Sequence, residues 1–166
     1  MVVEKARKPL SLKMRAIALL AQRDQSVNEM RHKLLRIAKR AALSTDDEGS
    51  PQAEAEHEVE VLLNWLQAEG YLCEKRFVES RIQARASRFG TLRIRQELAE
   101  HGLTLDTEAQ AELQRSEFER AQAVWSRRFG PEAPLDASDQ AKQTRFLAAR
   151  GFGAEIIRRV LRGRGD

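Results

Sequence analysis

Apolar residues recur along this chain at helical spacing. In "RFGTLRIRQELAEHGL", residues 88–103, Ile94 and Leu98 lie four apart, arginines flank Ile94 on both sides, and a glycine follows the run. Two other stretches carry the same pattern, "NEMRHKLL" from Asn28 and "EIIRRVLR" from Glu155. They align as Met30-Arg31…Leu34, Ile94-Arg95…Leu98 and Ile157-Arg158…Leu161, at offsets of 64 and 63 residues. In each, one helical face is marked by an apolar residue and a leucine one turn later, with an arginine at its edge. A second correspondence places Trp65 and Gly70 sixty residues before Trp125 and Gly130. Val, Ile and Thr do not alternate with polar residues over useful lengths, so no strand is predicted.

The pattern predicts an all-α fold of tandem three-helix repeats, two full units and a third truncated one. Helix A spans Leu12–Arg23, Lys75–Arg88 and Asp139–Arg150; helix B carries Arg-x-x-Leu; helix C, with the tryptophan, spans about Pro51–Glu69 and Thr107–Phe129. The boundaries that follow are a tail at 1–11, repeats at 12–72 and 73–130, and a third, ending after helix B, at 131–166. A polar linker, 44–50, lies within the first.

Punctuation agrees with these elements. Ser26-x-x-Glu29 and Thr107-x-x-Gln110 read as capping boxes, and Ser50-Pro51 as an N-cap before proline. Gly102 fits a left-handed position after helix B with Leu103 folding back on Leu98, and Gly70 does likewise with Tyr71 reaching Leu66. Trp65 and Trp125 read as core.

Charge alternates in sign along the chain: +6 over 10–43, −8 over 44–72, +3 over 73–103, −3 over 104–138 and +4 over 139–166. A repeated unit with a basic and an acidic portion produces that alternation. In the middle unit Arg81, Arg85 and Arg88 follow i, i+4, i+7 and stack as a ridge, while Arg93 and Arg95 flank the buried stripe. Arginine stems also cover the edges of thin cores. Yet like charges one turn apart repel, so a basic ridge calls for phosphates or a partner's carboxylates.

Catalytic chemistry is missing. His32, His57 and His101 are scattered and lack metal-ligand spacing, and no phosphate-binding glycine loop is present. We expect no enzyme, no cofactor and no metal. Cys73 is the sole cysteine, read as a packing residue near a helix boundary in a reducing compartment. Without a secretion signal or a run of ~20 apolar residues, the expected protein is soluble, cytoplasmic and monomeric.

"ALLAQRDQSVNEMRHKLL", "GYLCEKRFVESRIQARASRFGTLRIRQELAEHGL" and "AKQTRFLAARGFGAEIIRRVL" together resemble the bacterial RecX family over residues 12–162. Gly70-Tyr71-Leu72, Arg76-Phe77 and Arg93-Ile94-Arg95-Gln96-Glu97-Leu98 carry the resemblance most specifically. Cys73-Glu74 departs from the family's acidic pair, and Arg88-Phe89-Gly90-Thr91 from its usual Gly-Tyr-Gly-Pro. The resemblance implies an elongated, curved array. It also implies a non-enzymatic regulator lodged in the groove of the RecA filament on single-stranded DNA, where it inhibits ATPase, strand exchange and filament growth. Candidate contacts to RecA or to the DNA backbone are Arg31, Lys33, Arg81, Arg85, Arg88, Arg93, Arg95, Arg158 and Arg159. The alternative is a sequence-independent nucleic-acid-binding module of helix-turn-helix-like repeats.

Overall fold

A computed structural model describes residues 10–42, 51–130, 132 and 134–162. The linker 44–50, the Ser50 cap and the tail to residue 9 lie outside the described residues. Among those described, the secondary structure is eight α-helices without a strand: α1 Leu12–Gln22, α2 Val27–Ala42, α3 Pro51–Ala68, α4 Glu74–Ala86, α5 Thr91–Glu100, α6 Thr107–Phe129, α7 Ala137–Ala148 and α8 Ala154–Leu161. The chain divides into two compact units, Met1–Phe77 and Val78–Asp166.

In the first unit α1, α2 and α3 share one core. Met30, Leu34 and Ala38 of α2, spaced four apart, form the buried stripe. It meets Ala55, Val59, Leu62, Leu63 and Leu66 of α3, with Ala16 of α1 at its edge. Each large side chain buried there stabilises the unit by about 1.5–3 kcal/mol against remaining in water. Ser11 caps α1, its Oγ accepting from the Met14 amide at 3.3 Å. Buried Gln25 closes that helix's other end by donating to the Leu19 carbonyl at 2.9 Å. After α3, Gly70 turns the chain at φ 74°, and the Leu72 amide returns to the Leu66 carbonyl. Leu72, rather than Tyr71, is therefore the residue that folds back into the core. Tyr71 stays exposed and stacks on the half-buried Trp65 at 5.5 Å. The expectation that Trp65 is a core residue is corrected accordingly: α3 carries it at the boundary, where Lys13 Nζ lies 3.4 Å from its ring centre.

In the second unit Ala121, Val124 and Trp125 of α6 pack against Leu147 of α7, Phe152, and Ile157, Val160 and Leu161 of α8. Trp125 is buried as expected, and its Nε1 donates to Gln143 Oε1 at 2.6 Å. Gln143 in turn donates to Asp139 Oδ2 at 2.8 Å, so the polar edge of the indole is satisfied. Asp106, not Thr107, caps α6: it holds the extended backbone of an N-cap, and its carboxylate accepts from the Ala109 amide at 2.7 Å. Likewise Asp136 caps α7, starting it at Ala137 instead of Asp139.

Candidate basic interaction surfaces

The three B helices, α2, α5 and α8, begin in the same way. The amides of Met30, Ile94 and Ile157 donate to the carbonyls of Ser26, Gly90 and Gly153 at 3.0, 3.2 and 2.9 Å. All three apolar residues are buried, as are Leu34, Leu98 and Leu161 one turn on. Ser26, Gly90 and Gly153 keep the 64- and 63-residue offsets, so the repeat read in the sequence is a repeat of local structure. Only Ser26 adds a side-chain cap, its Oγ accepting from the Glu29 amide at 3.1 Å.

At the α5 start, neighbours do the capping. The Gly90 amide donates to the Arg150 carbonyl at 2.9 Å and the Leu92 amide to the Gly151 carbonyl at 3.1 Å. The Thr91 amide donates to Glu117 Oε1 at 3.0 Å. Arg120 closes the joint by donating to the carbonyls of Phe89, Leu113 and Ala86 at 2.7, 2.9 and 3.1 Å. Burial pushes its guanidinium below the ordinary value, and the charge of Glu117 pushes back. Gly90 and Gly151 have no room for side chains: a Cβ on Gly90 would lie 2.2 Å from the Gly151 oxygen. One on Gly151 would lie 2.5 Å from the Cβ of Arg93.

This joint fixes the edge arginines. Arg93 is exposed, its Nε 3.4 Å from Glu97 Oε1, and Arg95 is exposed with no charged partner among the described residues. Arg85 is half-buried with Nε 2.9 Å from Glu97 Oε2, at ion-pair distance but without hydrogen-bond alignment. Arg81 is half-buried on α4. The expected ridge of Arg81, Arg85 and Arg88 stops at Arg85. The helix ends at Ala86, and the amides of Arg88 and Phe89 both return to the Arg85 carbonyl in a tight turn. Arg88 is thus displaced from the ridge into the turn leading to Gly90.

The other candidates lie on the remaining B helices. On α2, Arg31 Nε donates to Glu60 Oε1 at 2.6 Å, and that hydrogen bond holds the Glu60 carboxyl below the usual range. Lys33 lies 2.9 Å from Glu29 and donates to Gln25 at 2.8 Å. Arg158 pairs with Glu155 at 2.6 Å, and Arg159 lies 4.5 Å from the Phe118 ring centre; both are exposed. Arg31, Lys33 and Arg85 are thus held by internal carboxylates. Arg88, Arg95 and Arg159 are exposed without one among the described residues.

Two shallow depressions with basic walls complete the picture. One, about 270 Å3, lies in the first unit between Leu19, Lys33, Arg36, Ile37 and Arg40. The second, about 250 Å3, lies in the second unit and brings Arg88 together with Arg127, Arg128 and Arg150. The sequence reading missed the last three. Arg127 and Arg128 close α6, where a basic final turn suits the helix dipole and draws no attention.

Among the described residues no cluster suited to a metal ion is formed, and no helix is long and apolar enough to cross a membrane.

Comparison with known proteins bears on this geometry. A model of the third three-helix domain of RecX matches residues 116–161, from within α6 to the end of α8. The chain is 45% identical to the regulatory protein RecX of Ralstonia nicotianae over 159 residues, which is 95% of this chain and 90% of that protein. It is 43% identical to its counterpart in Leptothrix cholodnii over 94% of this chain and 90% of that one. With the regulatory protein RecX of Pseudomonas syringae pv. tomato the identity is 37%, over 95% and 94%.

Proposed function

The chain belongs to the RecX family of regulatory proteins, and on that premise we propose that it restrains the RecA recombinase from within the groove of the RecA filament on single-stranded DNA. Bound there, it lowers ATP hydrolysis and strand exchange and limits filament growth. The protein acts by binding, as a monomer in the cytoplasm, and uses no cofactor.

The observation that supports this reading is the recurrence of one local structure at Met30, Ile94 and Ile157, each followed by an arginine at the next position. A filament repeats its own surface at fixed intervals, so a ligand that repeats a basic element meets the same kind of site more than once. Each contact is weak alone. Linking them raises the effective concentration of the next and adds about 10²–10⁴ in avidity where the spans match. Of the candidate contacts, the arginines that internal carboxylates do not hold, Arg88, Arg95 and Arg159, are available to a partner, with Arg93 and Arg158 at their margins. Arg31, Lys33 and Arg85 are instead held by carboxylates of their own units, and Arg81 is half-buried on α4.

The experiment is ATP hydrolysis by RecA on single-stranded DNA with and without the protein, alongside filament length by electron microscopy. We expect hydrolysis to fall and filaments to shorten. Hydrolysis and length both unchanged at saturating protein would remove the proposal.

A further inference from the structure

Four arginines of the second unit keep a carboxylate beside them: Arg85 and Arg93 share Glu97, Arg115 has Glu112, and Arg158 has Glu155. The depression of about 250 Å3 gathers arginines of the other kind. Arg88, Arg127, Arg128 and Arg150 line it over a floor of Val124 and Phe146, and no acidic residue joins them. Among the described residues none of the four forms an ion pair.

Neutral groups hold these guanidinium groups. Arg127 donates to the carbonyls of Ser87 and Ala123 at 2.7 and 3.2 Å. Arg150 lies 3.7 Å from the ring centre of Phe146 and donates to its carbonyl at 3.3 Å. Arg88 and Arg128 lie 5.7 and 5.6 Å from the ring centres of Phe89 and Phe129. Carbonyls and ring faces position a guanidinium without neutralising it. Four cations are therefore gathered at one small, partly apolar surface with their charge uncompensated, an arrangement that repels itself until an anion arrives.

We propose that this depression binds phosphate groups. Arginine forks match the geometry of phosphate oxygens and are more weakly hydrated than lysine ammonium groups. A tetrahedral phosphate offers oxygens in several directions, so forks from α6, the turn after α7 and the α4–α5 turn can converge on one group. A planar carboxylate accommodates fewer of them. The phosphate can come from a polynucleotide backbone or from a free polyphosphate, and the two sources give different results below. Arg88 is shared with the surface proposed to meet RecA, and the test below contains no RecA, so it reports on the depression alone.

The full chain is titrated against a labelled oligothymidylate strand across a salt series, with inorganic pyrophosphate as competitor and polyglutamate as a second polyanion. Arg88→Gln with Arg128→Gln removes two charges from residues that hold no backbone carbonyl in place. A matched control, Arg115→Gln with Arg162→Gln, removes two charges from exposed residues that do not line the depression. We expect the first variant, with unchanged helix content, to bind the strand about tenfold more weakly. Its log–log salt slope should flatten by about 1.4, at roughly 0.7 per phosphate neutralised. The control should bind as the wild type does. Tight strand binding with weak pyrophosphate competition assigns the site to a polynucleotide. Pyrophosphate binding sensitive to the Arg88/Arg128 change, without strand binding, assigns it to a free polyphosphate. Binding of neither phosphate probe at low salt, an equal loss in the control, or polyglutamate binding as tight as the strand's would each overturn the proposal.

Discussion

The backbone amide of Thr91 donates to the carboxylate of Glu117, 3.0 Å away, so α5 starts on a side chain supplied by α6. Both residues are buried, and a carboxylate at a helix N-terminus also opposes the positive end of the helix dipole. Glu117→Ala strands a buried amide and removes the charge facing Arg120. We expect it to destabilise the fold by about 2–4 kcal/mol and to speed hydrogen exchange at the Thr91 amide. Glu117→Gln keeps an acceptor and should cost roughly half as much. Urea unfolding of the two variants checks this; an alanine variant as stable as the wild type would show that the contact is dispensable.

Gly151 sits at φ 78° with Arg93 against the place a side chain would occupy. Gly151→Ala therefore meets two penalties, about 1 kcal/mol for the left-handed backbone and about 1–3 kcal/mol for overpacking against α5. Gly130 is also left-handed, at φ 86°, but has nothing within 4 Å of its would-be Cβ. Gly130→Ala should incur only the backbone term. The difference between their unfolding midpoints separates close approach from backbone strain, and equal losses would contradict the packing at Gly151.

The Thr91 and Gly151 contacts also mark how far the sequence could be read. The helices and their repeat were legible because each is written in local spacing: Met30, Ile94 and Ile157 keep one register, and Gly102 at φ 73° returns the Leu103 amide to Leu98 as the pattern required. Glu117 was not legible, since in sequence it is one of four glutamates on its helix. Nor was the meeting of Arg88, Arg127, Arg128 and Arg150, which come from three segments and share no spacing. Thr107 fits the box pattern of a cap, yet Asp106, one residue earlier, has the carboxylate that reaches Ala109. Trp65 shows the limit of repeat logic. It aligns with Trp125, but its ring lies between Lys13 and Tyr71 at the edge of its unit.

Glu29 gives the first unit a pH dependence of known sign. Burial raises the pKa of its carboxyl, but hydrogen bonds and charge from Arg23 and Lys33 outweigh that and bring it from the usual 4.5 down to about 2. A carboxyl depressed in the folded state contributes stability that is fully present above its unfolded pKa and lost as pH falls through the folded one. The wild type should thus exceed Glu29→Gln by about 2 kcal/mol near neutrality, an amount reduced for the solvent reaching Arg23. That advantage should shrink between pH 4.5 and about 2. Paired urea titrations at several pH values test it, and a constant difference would refute the assignment.

The tryptophans should report their different settings. Trp125→Ala empties a buried site and leaves Gln143 without its donor, a loss of about 3–5 kcal/mol. Trp65→Ala removes a half-buried ring and should cost about 1–2 kcal/mol. In single-tryptophan proteins, Trp125 should emit to the blue and resist acrylamide, while Trp65 emits to the red and is quenched. Equal quenching would sink the distinction.

Arg93 and Arg95 test whether the edge of α5 serves the partner or the core. Arg95 is exposed without a charged partner among the described residues, and Arg93 keeps a 3.4 Å approach to Glu97, whose other oxygen faces Arg85, and lies 5.6 Å from the Phe89 ring centre. The Cβ of Arg93 is the atom nearest a Cβ placed on Gly151, and alanine retains it. The double change to alanine should therefore leave helix content intact and cost less than about 1 kcal/mol, as exposed ion pairs do. If both guanidinium groups bond to a partner, their removal should raise the concentration needed for half-inhibition of RecA hydrolysis by about tenfold or more. Arg31→Ala provides the contrast. It breaks a pair with Glu60 inside its own unit, so stability should fall as inhibition falls. If the α5 double variant unfolds while Arg31→Ala retains full stability and loses inhibition, the roles assigned to the two helices are reversed.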